Sequence, residues 1–115
     1  MHLYISQTLE IIEVLENYLN EKRPPEEMRN ELDLSYKIDG QSVIIYKLRP
    51  RWDKPEEIIE CPVAKTTFVH NREHWKIFWM RADLKWHSYK PKPFVKTIKD
   101  FVKIVDEDKY GCFWG

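Results

Sequence analysis

The sequence predicts an α+β fold in a single domain: an N-terminal helix, an antiparallel meander of four or five strands, and a C-terminal helix packed on the sheet. Three observations predict it. Apolar residues recur every three or four positions near both ends, they alternate with polar ones after Glu31, and prolines cut the middle into strand-length pieces. With 115 residues, 43% apolar and 14% aromatic, the chain can bury one core, whereas two domains would each be too small.

The first helix rests on Ile5, Leu9, Ile12, Leu15 and Leu19, with Glu10, Glu13, Glu16 and Asn20 between them and Ser6 as the expected cap. It should stop at Lys22-Arg23-Pro24, where cations suit the negative end of the helix dipole and proline disfavours helical geometry before it. Pro25 to Arg29, with acids in its first turn, fits a short second helix.

From Glu31 the period changes to two. Leu32, Leu34, Tyr36 and Ile38 alternate with polar residues, Asp39-Gly40 signals a hairpin, and Ser42 to Leu48 returns as the second strand. A three-residue turn with Gly40 left-handed is expected, setting Leu32 opposite Tyr46. Val43 and Ile45 then point away from the helical cover, an exposed apolar face that would favour a homodimer.

Pro50 and Pro55 bound a loop, "RPRWDKPEE". A third strand spans Ile58 to Val69, with Cys61-Pro62 interrupting it at an edge or a bulge. Trp75 to Met80 is aromatic and almost wholly apolar, as a central strand would be, and Leu84 to Tyr89 is a short fifth strand. After Pro93, the set Phe94, Val95, Ile98, Phe101, Val102 and Val105 forms the stripe of the last helix.

Formal charge sums to zero, so no bulk field draws the chain to nucleic acid or acidic lipid. The balance is local: residues 1–40 carry nine acids against four bases, residues 61–100 nine bases against three acids. No leader of signal type and no run of about 20 apolar residues is present, so a cytoplasmic, non-membrane protein with two free thiols is expected.

Three short motifs invite a chemical reading. "GCFWG" at 111–115 reads like the active-site stretch of the A-type methionine sulfoxide reductases, where the cysteine is a nucleophile. A thiolate needs a helix N-terminus or a cation beside it, however, and Cys112 follows Asp106, Glu107 and Asp108 with no helix expected after it, so Phe113 and Trp114 are read as anchors of the tail. His70-Asn-Arg-Glu73-His74 spells a zinc-peptidase signature, but that motif works on a helix. The flanks here have strand character, which makes the five residues a hairpin tip where the two histidines could face each other, and no metal or other cofactor is expected. Cys61 with His87 has no spacing that supports a thiol and base pair, and no glycine-rich phosphate loop exists.

What remains is an interleaving of cations and aromatic rings. Arg49, Arg51 and Trp52, then Arg81, Lys85, Trp86, His87 and Tyr89, are the candidate ligand-binding residues, because single-stranded nucleic acid is held by cations on phosphate and rings under bases. No catalytic residue is assigned. The leading reading is a binding module rather than an enzyme, with nucleic acid or a protein as the partner. A small enzyme built on Cys61 or the histidines and a structural homodimer are the alternatives.

"RPP", "RPRW", "PVAK", "WMRADLKWHSY" and the terminal "GCFWG", taken in that order, resemble the short bacterial proteins grouped as a domain of unknown function, DUF3024. The resemblance covers nearly the whole chain. It implies a small bacterial protein that closes on this pentapeptide without being a reductase, and it transfers no catalytic residue. It also implies glutamate before Leu-Arg-Pro in many members, where this chain has Lys47.

Overall fold

The computed structural model describes residues 3–114. Helix α1 (Ile5–Lys22) begins one residue before the expected cap, with Tyr4 as the boundary and its N–H donating to Gln7 Oε1 at 2.9 Å. Its buried face is Ile11, Leu15, Tyr18 and Leu19, a set spaced i, i+4, i+7, i+8, whereas Ile5, Leu9 and Ile12 are exposed. The expected stripe is therefore rotated, because Ile11 and Tyr18 complete a better face than the first turn does. A single 3₁₀ turn, Glu26–Met28, follows.

Strands β1 (Asp33–Asp39) and β2 (Ser42–Pro50) form the expected hairpin in a different register. Asp39 still pairs, opposite Ser42, so the turn is Gly40-Gln41, and Gly40 takes the positive φ of 60° that glycine supplies in the first central position of such a turn. Gln41 is held by β3, donating from Nε2 to the Phe68 carbonyl at 2.7 Å. Leu34, expected opposite Ile44, lies opposite Lys47. An odd offset exchanges the faces. Tyr36 and Ile38 thus share a face with Ile45 and Val43, which are fully buried under the helices rather than exposed. The basis on which a homodimer was expected is gone.

Strand β3 (Ile58–Val69) is continuous. Ile45 pairs with Ala64 and Tyr46 with Pro62, leaving Val63 as the extra residue of a bulge where the proline's missing N–H is tolerated. Strand β4 (His74–Met80) is central as expected. One edge pairs with β3, and the other is shared end to end by β5 (Trp86–Ser88) and β6 (Phe94–Val95).

The sheet has six strands, ordered β1-β2-β3-β4-β5 with β6 also on β4. Phe94 and Val95, expected in the last helix, pair instead with Lys76 and Trp75, and the Ile77 N–H donates to the Pro93 carbonyl. Helix α2 (Ile98–Glu107) starts only after Thr97, whose hydroxyl accepts from the Asp100 N–H at 3.1 Å.

Both helices lie on one face of the sheet. Ile11 and Leu15 of α1 and Ile98, Phe101 and Val105 of α2 join Val43, Ile45, Ala64 and Ile77 in one core, and Tyr18 donates to Asp106 at 3.3 Å between the helices. Asp108 then turns the chain with φ 40°. Its carboxylate accepts from the Phe113 and Trp114 N–H groups at 3.0 and 2.8 Å, Trp114 Nε1 donates to the Val105 carbonyl, and Phe113 is buried beside Tyr89. The tail is anchored as expected.

Candidate functional site

Because the helices cover one face, the alternate residues of every strand form the other. Register aligns them into rows: Lys37, Ile44, Lys65, Phe78 and Ser88 in one, and Asp39, Ser42, Thr67, Lys76 and Phe94 in the next. Tyr46 and the pair Met80 and Trp86 lie on the same side by alternation. None of these residues is fully buried, and Phe94 is 48% exposed.

Lysines lie over the rings. Lys65 Nζ is 5.7 Å from the centre of Phe78 and 5.8 Å from that of Trp86, and Lys37 Nζ is 5.3 Å from Tyr46. Lys37 is also paired with Glu60 at 3.1 Å, which raises its pKa, whereas Lys65 and Lys76 have no carboxylate partner among the described residues. The basic bias of residues 61–100 thus becomes a spatial one, since Lys65 and Lys76 sit on the open face and Arg72 and Lys96 beside it.

The residues expected to bind a ligand do not gather on this face. Chain direction places Arg49, Arg51 and Trp52, at the end of β2, and Arg81, Lys85 and Trp86, between β4 and β5, at the same end of the sheet. They are not adjacent. Arg49 is level with Ile59, while β4 last pairs with β3 at Ala64, so the 49–52 segment projects more than about 13 Å farther along β3.

Within the first group, Arg49 Nε donates to Cys61 Sγ at 3.3 Å and Arg51 is held by Asp53 and Glu57 at 2.8 and 2.7 Å. Trp52, on the loop those pairs brace, is 94% exposed. Within the second, Trp86 lies on the open face, Lys85 is exposed, and Arg81 lies over Trp79 with its guanidinium carbon 5.5 Å from the ring centre. His87 belongs to the helix-covered side, opposite Trp79, with Nε2 2.8 Å from Asp83 Oδ2, a contact that holds the Asp83 carboxyl below its usual range. Tyr89 is only 2% exposed and packs on Phe113 in the core, so its ring offers no surface to a ligand. Tyr46, Lys65, Lys76 and Phe78 were missed. Alternation along β2, β3 and β4 would have found them had the hairpin register been right.

The motifs that suggested catalysis are elsewhere. Burial, with Asp108 added to it, pushes the Cys112 thiol up, the opposite of what a nucleophile needs. Cys61 contacts Arg49 and His87 contacts Asp83, so the two do not pair. His70 and His74 do not face each other: His70 packs edge-on against Tyr4 and Phe68 on the covered side, while His74 stacks on Phe94 on the open side at 4.4 Å. They fall on opposite faces because His74 pairs with Val69, one residue out of phase with His70. Among the described residues no three His, Cys, Asp or Glu side chains converge as a metal site, and no helix is long and apolar enough to cross a membrane.

No curated protein and no solved structure matches the chain. The family model described as "Domain of unknown function (DUF3024)" matches residues 5–115. Covering both helices, all six strands and the anchored tail, that match shows that the chain belongs to the DUF3024 family.

Proposed function

We propose that the protein is a binding module that holds single-stranded nucleic acid across the open face of its sheet. The observation that carries the reading is that the helices cover one face while the other presents Tyr46, Phe78, Trp86 and Phe94, with Lys65 and Lys76 between the rings. Flat rings on a sheet suit unstacked bases, and lysines between them suit the phosphates that link those bases. A duplex keeps its bases stacked and fits such a surface poorly. Trp86 belongs to this surface, and the exposed Trp52 would meet a strand only where it runs beyond the sheet.

A titration of mixed-sequence single strands and of duplexes at 50 and 150 mM salt tests the reading. Single strands are expected to bind, duplexes more weakly, and affinity to fall steeply with salt as counterions are released. Lys65→Gln should flatten the salt slope, while Trp86→Ala should weaken binding by roughly 1–3 kcal/mol at nearly unchanged slope. Failure of both ligands at the lower salt would remove nucleic acid and leave a protein partner as the reading to pursue.

A further inference from the structure

We propose that the pocket between the β3–β4 turn and β6, which adjoins the open face and shares Lys76 and Phe94 with it, binds a nucleotide-type phosphomonoester. Asn71, Arg72, His74, Lys76, Phe94 and Lys96 line its approximately 600 Å³ together with Val69. The three cations come from three places in the chain: Arg72 from the turn, Lys76 from β4 and Lys96 from the segment after β6. The fold brings them together.

None of the three makes an ion pair or a side-chain hydrogen bond among the described residues, and no carboxylate lines the pocket. The basic bias of residues 61–100 supplies these charges, and the fold gathers three of them into one concavity. Three like charges in one concavity repel each other, and a dianion removes the repulsion while accepting hydrogen bonds from guanidinium, ammonium and amide together.

His74 lies among the same three cations. Burial lowers its pKa first, and Lys96, Arg72 and Lys76 each lower it further, so all three act on the same ring. Its Nε2 has no hydrogen-bond partner among the described residues. The ring lies 13° from parallel to Phe94, and the half-exposed Phe94 gives the pocket an apolar, flat wall beside its cations. A phosphate on a planar organic group matches both features.

This inference does not rest on strand binding by the sheet, and the probes keep the two apart. AMP, adenosine and inorganic phosphate are titrated at matched ionic strength, with amide and His74 imidazole shifts followed by NMR. AMP is expected to bind more tightly than phosphate and much more tightly than adenosine, and to raise the His74 pKa by cancelling the cationic field. Arg72→Ala and Lys96→Ala should each weaken AMP about tenfold or more, the loss of one charged hydrogen bond. Lys92→Ala, outside the pocket, should leave it unchanged.

A dT oligomer with a 5′-phosphate, compared with its 5′-hydroxyl form, identifies the source of the phosphomonoester. Preference for the phosphorylated form points to a strand end, and equal binding of the two points to the free nucleotide. Adenosine binding as well as AMP, no binding of AMP beyond what chloride at equal ionic strength displaces, or an unmoved His74 titration would overturn the proposal. The 5′-hydroxyl oligomer carries no terminal phosphomonoester, so its failure counts against strand binding by the sheet and leaves this site standing.

Discussion

The two sides of β4 differ in what covers them. On one side Trp75 and Ile77 are buried against the helices, and on the other Lys76 and Phe78 stay in contact with water, although the four residues are consecutive. Apolar content alone does not separate them. The covered side is dominated by aliphatic chains closed off by α1 and α2, whereas the open side pairs rings with lysines whose stems shield them and whose charges remain hydrated. The difference teaches how lysine stems and hydrated charges can keep aromatic rings on a solvated face.

Stability measurements can break that contrast. Phe101→Ala, at a fully buried position, should cost about 3–5 kcal/mol in urea unfolding, while Phe78→Ala should cost about 1 kcal/mol. Equal losses would mean that the open face is core. Next in size is the tail: truncation before Gly111 removes Phe113 and Trp114 from the covered side and should cost about 3 kcal/mol, against under about 1 kcal/mol for Cys112→Ser. A truncated chain that melts with the full one would show that the covered side closes without its tail.

The smallest expected effect sharpens the comparison at its margin, where the Arg23 guanidinium grips Asp33 at 2.7 Å. The hydrogen bonds from Arg23 hold the Asp33 carboxyl below its usual range despite some desolvation. A depressed folded-state pKa stabilises above the unfolded value of about 4 and loses that contribution as pH falls through the folded one. Asp33→Asn should therefore lower stability slightly at pH 7 and leave the chain less sensitive to acid below about pH 4. Parallel pH profiles of the two proteins would count against the pair.

Much of the architecture was legible because it rests on local signals. Periodicity located α1 and α2, alternation located β1 and β2, and Pro62 announced the bulge. What was not legible depended on long-range pairing. Asp39-Gly40 is a turn signal that does not say whether Asp39 leads into the turn or sits within it, and Gln41's bonds to β3, which favour one answer, join residues twenty-seven apart. From that one ambiguity came the wrong face for Val43 and Ile45 and the missed rings at Tyr46 and Phe78. Phe94 and Val95 are a second case: their spacing continues a helical stripe, and only the free edge of β4 makes them a strand. The candidate site was half legible. Trp86 was found by composition, whereas Tyr89 has the same composition signal and a buried position.

The bond from Tyr18 to Asp106 spans 88 residues, and it fixes an order of events during synthesis. Helix α1 leaves the ribosome early, yet the face it buries against α2 does not exist until those 88 residues follow. At about 5–20 residues per second that is roughly 4–18 s in which the side of α1 that packs on α2 must wait uncovered. The sheet can pair strand by strand and receive α1 in the meantime, but the part of its covered face that α2 closes stays open. A nascent chain halted before α2 is therefore expected to carry an exposed apolar helix and to bind chaperones, and release of the remaining residues should end that binding in one step.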